Sequence, residues 1–303
     1  MCKFLVEEKY RSGFVGLIGR PNAGKSTLLN RLVGQKVAIM SDKPQTTRNK
    51  ILGVLTNPKF QIVFLDTPGI HKPKHNLGKY MVNLAHGILH EVDVIMYVVD
   101  SSVEPGAGEE YIIKQLKQLS TPIVLILNKM DLVKPEELIK REEFFRERLE
   151  LEAVRAVSAL EGTNLDVLPE LISTYLPFGP QYYPPDTVTD QPEKFIMAEL
   201  IREQVLKFTR DEVPHSVAVV VETISKRFDD LLYVEAIIYV ERNSQKGIII
   251  GQGGQRLKSI GTQARQEIEN LLGSKIFLDL RVRVKKNWRH QEIYLRQMGY
   301  DSR

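Results

Sequence analysis

The sequence is almost free of cysteine, because Cys2 is the only one among 303 residues. A single thiol cannot form a disulfide within the chain, so disulfides cannot stabilise this fold. Such sparse use of cysteine is typical of a reducing compartment, and we expect a cytoplasmic protein. A chain of this length can build two domains, each with a hydrophobic core.

Long hydrophobic runs are also missing. The longest ones, such as Val94–Val99 and Ile123–Leu127, fall far short of the roughly 20 apolar residues that cross a membrane. The first ten residues lack the apolar core of a secretory signal. We therefore expect no membrane span, while peripheral contact with the inner face of the cell membrane stays open.

The chain has little excess charge of either sign. Its formal net charge is +4, with 43% hydrophobic and 26% charged residues. These proportions are ordinary for globular proteins and exclude collagen-like, low-complexity and wholly disordered chains. A net charge this small neither indicates nor excludes a polyanionic partner.

Short apolar runs alternate with segments of helical period between residues 13 and 176. The predicted strands are Phe14–Ile18, Ile62–Leu65, Val94–Val99, Ile123–Leu127 and Val154–Val157. The predicted helices are Lys25–Val33, Leu77–Glu91, Glu109–Leu119, Glu136–Leu149 and Leu165–Tyr175. This alternation predicts an α/β domain with a mostly parallel sheet and helices on both faces. Asn57-Pro58 joins two β-rich runs, which predicts one antiparallel hairpin at an edge of that sheet.

A proline-rich stretch follows at residues 177–192. It predicts a linker between a first domain, residues 1–176, and a second domain, residues 193–303. The second domain is predicted to be α+β, with the order helix, strand, strand, helix, strand. Its predicted elements are Phe195–Phe208, Ser216–Ile224, Tyr233–Val240, Gly254–Leu272 and Ile276–Val284.

The strongest motif is Gly19-Arg20-Pro21-Asn22-Ala23-Gly24-Lys25-Ser26, which matches the phosphate-binding pattern G-x-x-x-x-G-K-[ST]. It stands between a predicted strand and a predicted helix, as that loop requires. Backbone amides and the helix N-terminus would donate to phosphates, and Lys25 would reach the β- and γ-phosphates. Ser26 would offer its hydroxyl to Mg²⁺, and Thr27 completes the predicted nucleotide contacts.

Three further motifs follow predicted strands. In Asp66-Thr67-Pro68-Gly69, the carboxylate could hold Mg²⁺ and the Gly69 amide could approach the γ-phosphate. In Asn128-Lys129-Met130-Asp131, the Asp131 carboxylate could accept from the two donors on the Watson–Crick edge of guanine, both of which adenine lacks. A backbone amide of Ser158-Ala159-Leu160 could donate to guanine O6.

These elements, in this order, resemble the translation-factor-like branch of P-loop GTPases over residues 13–175. The resemblance implies GTP and GDP as ligands and a switch threonine before the second motif, either Thr46 or Thr47. We favour Thr47 because it precedes Arg48. The resemblance then implies a catalytic set of Lys25, Thr47, Asp66, Gly69 and Asn22. The Mg²⁺ ligands that it implies are Ser26, Thr47 and Asp66.

One position departs from the Ras-like pattern. A glutamine that orients the attacking water follows D-x-x-G in Ras-like enzymes, whereas this chain has Ile70. We therefore expect slow hydrolysis without an activator. The loop resembles that of GTPases in which the equivalent of Asn22 helps to hold a monovalent cation such as K⁺; a loop-stabilising asparagine turn is the alternative.

The second domain carries the pattern I-I-G-x-x-G-x-x-I/L-K-x-I-G, which resembles the core of a type II KH domain. Its G-x-x-G loop would press against the backbone of single-stranded nucleic acid. Residues 242–289 contain eleven Lys or Arg and three acids, a net charge of +8. The predicted RNA-binding residues are Lys246, Ile250, Gly251, Gln252, Gly253, Gly254, Gln255, Arg256, Lys258, Arg281, Arg283 and Lys285.

A P-loop GTPase domain followed by one KH domain resembles the Era family of bacterial ribosome-assembly GTPases. The resemblance implies a GTP-hydrolysing switch that binds the 3′ end of 16S ribosomal RNA and assists small-subunit assembly, without an obligate protein partner. Three alternatives stay open: a metabolic NTPase or kinase, an RNA chaperone with an inert nucleotide site, and a membrane-surface GTPase with negligible hydrolysis.

Overall fold

The computed structural model describes residues 10–43, 45–70, 75–211, 213–226 and 231–300. Cys2 and residues 227–230, between the predicted strands Ser216–Ile224 and Tyr233–Val240, lie outside the described residues. The chain forms two compact units. The first consists of Met1–Val37, Asn49–His71 and Val82–Asp190, and the second consists of Ala38–Arg48, Lys72–Met81 and Gln191–Arg303.

Strands and helices alternate along the chain up to residue 190, as the sequence predicts. The elements are β1 Arg11–Ile18, α1 Lys25–Val33, β2 Ile51–Asn57, β3 Phe60–Asp66, α2 Asn76–Leu89, β4 Val94–Asp100, α3 Ala107–Leu116, β5 Ile123–Asn128, α4 Pro135–Arg146, β6 Ala153–Ala156 and α5 Leu168–Ser173.

The six strands form one sheet in the order β2-β3-β1-β4-β5-β6. Strands β1, β3, β4, β5 and β6 run parallel, whereas β2 pairs antiparallel with β3 from Ile51 opposite Asp66 to Asn57 opposite Phe60. The predicted mostly parallel sheet and its antiparallel edge hairpin are therefore confirmed. All residues of β3 are buried, because helices cover both faces of such a sheet.

The proline-rich segment is hydrogen-bonded to the first unit over most of its length. The Gly179 amide donates to the carbonyl of Tyr10 at 3.1 Å, and the Val54 amide of β2 donates to the carbonyl of Val188 at 2.8 Å. The amide of Tyr182 donates to Oε1 of Gln61 at 2.7 Å. The compact first unit thus extends to Asp190, and the predicted boundaries at residues 176 and 193 stay predictions.

The second unit places helices against a three-stranded sheet. After residue 190 its elements are α6 Glu193–Phe208, α7 Val213–Ser216, β7 Ala218–Lys226, β8 Leu232–Val240, α8 Asn243–Ile250, α9 Gln255–Leu272, β9 Ile276–Val284 and α10 Glu292–Gln297. Strand β8 lies in the centre, antiparallel to β7 and parallel to β9. The core joins residues of α6, α9 and the sheet, among them Ile201, Ile260 and Ile238.

Three helices of the second unit were not predicted. Helix α8 precedes the G-x-x-G loop, where the sequence shows only an apolar run with a central Gly247 and no helical period. The side chain of Gln245 supports its first turn by accepting from the amides of Glu241 and Arg242 at 2.9 and 3.0 Å. The short helices α7 and α10 were not predicted either, and α7 includes Ser216, where a strand was predicted to begin. The observed order is helix, helix, strand, strand, helix, helix, strand, helix.

Candidate nucleotide-binding and nucleic-acid-binding sites

The phosphate-binding motif forms the turn between β1 and α1. Gly24 has φ 95°, and a Cβ there would lie 2.1 Å from Nδ2 of Asn128, so only glycine fits. Lys25 is 5% exposed and donates to the carbonyls of Gly19 and Arg20 at 3.1 and 2.9 Å. Burial lowers the pKa of Lys25, and the carboxylates of Asp66 and Glu109 oppose that effect.

Ser26, in the first turn of α1, lies beside Asp66 at the carboxyl end of β3. The Ser26 hydroxyl donates to Oδ2 of Asp66 at 2.6 Å, and Asp66 is fully buried. The neighbouring Thr67 donates to the carbonyl of Leu17 at 2.9 Å, which ties the second motif to β1. A hydroxyl beside a carboxylate is the oxygen donor set that Mg²⁺ prefers, so these residues fit that ion.

Asn128 connects the phosphate loop with the loop after β6. Its Nδ2 donates to the carbonyl of Ala23 at 2.8 Å, and its Oδ1 accepts from the Ala159 amide at 2.9 Å. Asn128 is 2% exposed, so both bonds are shielded from water. Asp131 lies in the exposed turn after β5, where its carboxylate can receive a base. The structure thus brings the phosphate loop, Asp66, Asn128 and Ala159 together.

Three residues near this site were missed by sequence reasoning. Asp100, at the end of β4, accepts from Nζ of Lys129 at 2.5 Å. Glu109, in the first turn of α3, accepts a short hydrogen bond from the Tyr97 hydroxyl, and its Oε1 lies 3.8 Å from Nη1 of Arg20. A polar residue at the carboxyl end of a buried strand could have identified Asp100; nothing local distinguishes Glu109 or Tyr97.

Ile70 follows the second motif, as the sequence states, and is buried. It is 4% exposed and packs in a core cluster with Ile18 and Tyr97. Its amide donates to the carbonyl of Gly19 at 3.2 Å. An apolar side chain in a core cannot orient a water molecule. Ile70 therefore cannot do what the glutamine does in Ras-like enzymes.

The two threonine candidates belong to Ala38–Arg48, which is part of the second unit. Thr46 is 9% exposed, its hydroxyl donates to the carbonyl of Lys43 at 2.6 Å, and its own carbonyl accepts from Arg202 of α6. Thr47 is half-buried. The predicted role of Thr47 at Mg²⁺ stays a prediction.

Arg48 is anchored within the second unit by several partners. It is 1% exposed, its Nη1 donates to the carbonyl of Val217 at 2.5 Å, and its Nη2 donates to the carbonyl of Pro214 at 3.0 Å. The guanidinium also lies 5.9 Å from the ring centre of Trp288 and 6.0 Å from that of Tyr300. Leu77 and Met81, from the segment Lys72–Met81, pack in one hydrophobic cluster with Trp288 and Tyr300.

The G-x-x-G motif forms a short turn between α8 and α9. Gly251, Gly253 and Gly254 have φ values of 72°, 57° and 78°, a left-handed region that favours glycine. Gln252, Gln255 and Lys258 are exposed around this turn. The glycine backbone is therefore accessible to a strand of nucleic acid.

A cleft of about 580 Å³ lies beside this turn, between α9 and β9. Lys258, Thr262 and Arg265 line it from one face of α9, and Phe277 lines it from β9. Phe277 is 54% exposed and stacks on Tyr233, with ring centres 5.7 Å apart and planes 10° apart. An exposed, supported ring in a basic cleft can stack a base. The sequence predicts contacts of the G-x-x-G loop with the nucleic-acid backbone and assigns no role to Phe277.

The predicted basic residues on and directly after β9 differ in the partners that their charges already have. Arg281 pairs with Glu235 at 2.7 Å and with Asp279 at 3.0 Å, which neutralises its charge locally. Arg283 is exposed on the same face of β9, and within the described part of the chain it forms no ion pair. Lys285 lies over the ring of Tyr294 at 4.1 Å. Arg283 is therefore the available cation among these three residues.

The remaining predicted RNA-binding residues lie on or next to α8 and α9. Lys246 and Ile250 of α8 are half-buried, whereas Arg256 is exposed and donates to the carbonyl of Ile248. Their roles stay predictions. Among the residues that the structure describes, none of the helices could cross a membrane.

Two family models match the chain. A model described as a 50S ribosome-binding GTPase matches residues 14–129. A model described as a KH domain matches residues 212–289. The two matches correspond to the two chemical sites described above.

Two solved structures resemble nearly the whole chain. One is Era in complex with MgGDPNP and nucleotides 1506–1542 of 16S ribosomal RNA; it has a TM-score of 0.93 and 41% sequence identity, and the match covers 96% of this chain and 99% of that chain. The other is an Era variant from Aquifex aeolicus bound to GDP and AlF4⁻, with a TM-score of 0.92, 41% identity and the same coverage.

Proposed function

The chain belongs to the Era family of GTPases, and from this premise we propose that it is a GTP-hydrolysing switch that binds the 3′-terminal region of 16S ribosomal RNA. The observation that carries the proposal is one chain with both a guanine-nucleotide site and a basic cleft beside a G-x-x-G loop. A relative with 41% identity has been solved with MgGDPNP and nucleotides 1506–1542 of 16S ribosomal RNA together. We propose that the RNA-bound protein assists assembly of the small ribosomal subunit.

In this proposal Asp131 selects guanine over adenine. Its exposed carboxylate accepts from N1–H and the 2-amino group of guanine, whereas adenine would leave the carboxylate without those donors. Asn128 supports the selection because it holds the Ala159 amide, the proposed donor to guanine O6. This arrangement disfavours a kinase or an ATP-dependent enzyme.

Lys25 and the phosphate-loop amides are proposed to bind the β- and γ-phosphates, with Ser26, Asp66 and Thr47 as ligands of Mg²⁺. The metal would neutralise charge that develops on the transferred phosphoryl group. Hydrolysis should be slow, because Ile70 is buried and cannot orient the attacking water. Release of phosphate by the purified protein, compared with a Lys25→Ala variant, tests this against an RNA chaperone with an inert nucleotide site.

Asn22 is proposed to hold a monovalent cation beside the phosphates. It has φ 64° in the phosphate loop, a conformation that asparagine tolerates and that also fits a simple loop turn. GTP turnover measured in potassium and in sodium separates the two roles. Equal rates would assign Asn22 to the loop alone.

RNA is proposed to lie along the cleft between α9 and β9. The G-x-x-G backbone would contact the sugar-phosphate chain, Lys258 and Arg265 would pair with phosphates, and Phe277 would stack a base. The net charge of +8 over residues 242–289 favours a polyanionic ligand here.

Nucleotide state is proposed to control RNA binding through the segments Ala38–Arg48 and Lys72–Met81. Both segments pack in the second unit, where Arg48 and the carbonyl of Thr46 have buried partners. The first segment contains Thr47, a proposed Mg²⁺ ligand. The second segment follows closely after Gly69, whose amide is proposed to approach the γ-phosphate. We expect a nucleotide that binds these residues to change the packing of the second unit, with a coupling of about 1–3 kcal/mol.

The test measures binding of a labelled oligonucleotide with the 16S 3′-terminal sequence in the presence of GDPNP, GDP or no nucleotide. We expect a 5- to 150-fold difference between the tightest and weakest states, the range that corresponds to about 1–3 kcal/mol. An oligonucleotide of the same length and shuffled sequence is the control. Equal affinities in all three states would refute the coupling, and equal affinities for the two oligonucleotides would refute the RNA assignment.

We propose a cytoplasmic location, with the membrane surface as a second candidate. The basic segment 242–289 supports attraction to anionic lipids as well as to RNA, and both attractions weaken with salt. Sedimentation with anionic vesicles in competition with the 16S oligonucleotide, at one salt concentration, distinguishes them. Binding to vesicles that RNA does not displace would favour a peripheral membrane role.

A further inference from the structure

Glu109 is a buried carboxylate that the functions proposed above leave without a role. It is the third residue of α3 and is 4% exposed. The Tyr97 hydroxyl donates a short hydrogen bond to its Oε2, and Nη1 of Arg20 lies 3.8 Å from its Oε1. Burial of an ionised carboxylate is costly unless such partners compensate, so the three side chains form one unit.

Arg20 is held from two directions. Its side chain reaches Glu109 across Gly108, where a Cβ would lie 2.8 Å from Nε of Arg20. Its backbone carbonyl accepts from Nζ of Lys25 at 2.9 Å. The phosphate loop is therefore tied to α3 through one side chain, at the residue that follows Gly19.

We propose that Glu109 is a positioning residue of the nucleotide site, whose carboxylate holds Arg20 against α3 and thereby keeps the phosphate loop in its binding conformation. The proposal rests on the proposed function and deepens it. A loop that is ordered before the ligand arrives binds more tightly, because no ordering cost is added during binding. Loss of the anchor should therefore weaken binding of both GDP and GTP.

The charge of Glu109 decides whether it can hold Arg20. Burial raises the pKa of its carboxyl group, and the Tyr97 hydrogen bond and the charge of Arg20 oppose that rise. As the pH falls through the raised pKa, the carboxylate becomes neutral and its attraction for Arg20 is lost. The charged or titratable groups that act on it from the neighbouring elements are Arg20, Lys25, Tyr97 and Asp100.

The first experiment compares Glu109→Gln with wild type. Glutamine retains an acceptor for Tyr97 and loses the charge that attracts Arg20. We expect GDP and GDPNP to bind about tenfold more weakly at pH 8, which is about 1.4 kcal/mol. The ratio of the variant's dissociation constant to that of wild type should approach one as the pH is lowered and wild type loses the same charge. Titration of the nucleotide phosphates cancels in this ratio.

Glu110→Gln is the matched control, because Glu110 is the next residue of α3, is exposed and pairs with Arg148 at 3.3 Å. It should leave the affinity unchanged at every pH. A Glu109→Gln variant with wild-type affinity at pH 8, or with a ratio that does not change with pH, would refute the proposal. Failure of wild type itself to bind guanine nucleotides would instead refute the proposed function.

Two further variants separate positioning from damage to the fold. Gly108→Ala places a Cβ against Arg20 without changing any charge, and alanine suits a helix. It should weaken nucleotide binding at pH 8, and the affinities of the variant and wild type should converge as the pH is lowered, because wild type then loses the same contact; general damage to the fold would instead weaken binding at every pH. Tyr97→Phe removes the donor to Glu109 and should raise the pKa of Glu109 further, so that affinity is lost at a higher pH than in wild type. An unchanged pH profile for Tyr97→Phe would contradict the proposal.

Discussion

Arg48→Ala is expected to lower the free energy of unfolding of the second unit by about 3–5 kcal/mol. Arg48 donates charged hydrogen bonds to the carbonyls of Val217 and Pro214, at 2.5 and 3.0 Å, in a site that water does not reach. A hydrogen bond to a charged group contributes about 1.5–3 kcal/mol, and its loss leaves a buried carbonyl unsatisfied. Two such bonds account for the expected loss.

Urea unfolding followed by tryptophan fluorescence measures this loss. The chain has one tryptophan, Trp288, which is fully buried, donates to the carbonyl of Ser216 at 2.9 Å and stacks on Tyr300. Its emission therefore reports on the second unit and on the surroundings of Arg48. The midpoint and slope of the transition give the free energy.

Two variants control the measurement. Arg210→Ala removes an exposed arginine of the same unit and should change the free energy by less than about 0.5 kcal/mol. Arg48→Lys keeps the charge without the planar fork and should fall between wild type and Arg48→Ala. A loss below about 1 kcal/mol for Arg48→Ala would refute the reasoning, because the desolvation of the guanidinium would then offset its hydrogen bonds.

Three other predictions concern the two sites. Asp131→Asn should weaken GTP binding by about 100-fold or more and shift preference toward XTP, as competition with labelled GDP would measure; an unchanged GTP affinity would remove Asp131 from base recognition. Lys258→Ala should reduce the slope of log affinity for the 16S oligonucleotide against log salt by about 0.7. Arg281→Ala should change the slope less, because Arg281 is already paired with Glu235. Equal changes in the two variants would contradict the assignment of Lys258 as a phosphate contact. Phe277→Ala should weaken oligonucleotide binding by about tenfold, with the exposed Phe178→Ala of the first unit as the control; an effect of both or of neither would refute the stacking platform.

Local patterns predicted most of the fold. Helix α1 occupies Lys25–Val33 and strand β9 occupies Ile276–Val284, both as predicted, because an abrupt change from glycines to periodic apolar residues marks such ends. The phosphate loop and the motifs after β3, β5 and β6 were found for a similar reason. Each is a short run with a required spacing after a buried strand.

Interactions between distant residues were beyond these patterns. Nothing around Glu109 indicates that Tyr97 and Arg20 will meet it, because the sheet and α3 bring them together from separate parts of the chain. Arg48 likewise reads as a polar loop residue, yet it is buried among partners more than 160 positions away. Helix α8 was missed because its Ile248–Ile250 run has no helical period of its own.

The proline-rich segment that follows α5 has a consequence for aggregation. Strand β2 is at one edge of the six-stranded sheet, and an exposed edge can pair with a strand of another molecule. The segment covers part of this edge, since Val54 donates to Val188 and the Thr189 hydroxyl donates to the carbonyl of Leu52 at 2.7 Å. Its prolines cannot donate the amide hydrogens that would extend the sheet outward. A fragment cut at residue 176 would uncover β2 and should self-associate, whereas one that ends at residue 190 keeps the edge protected.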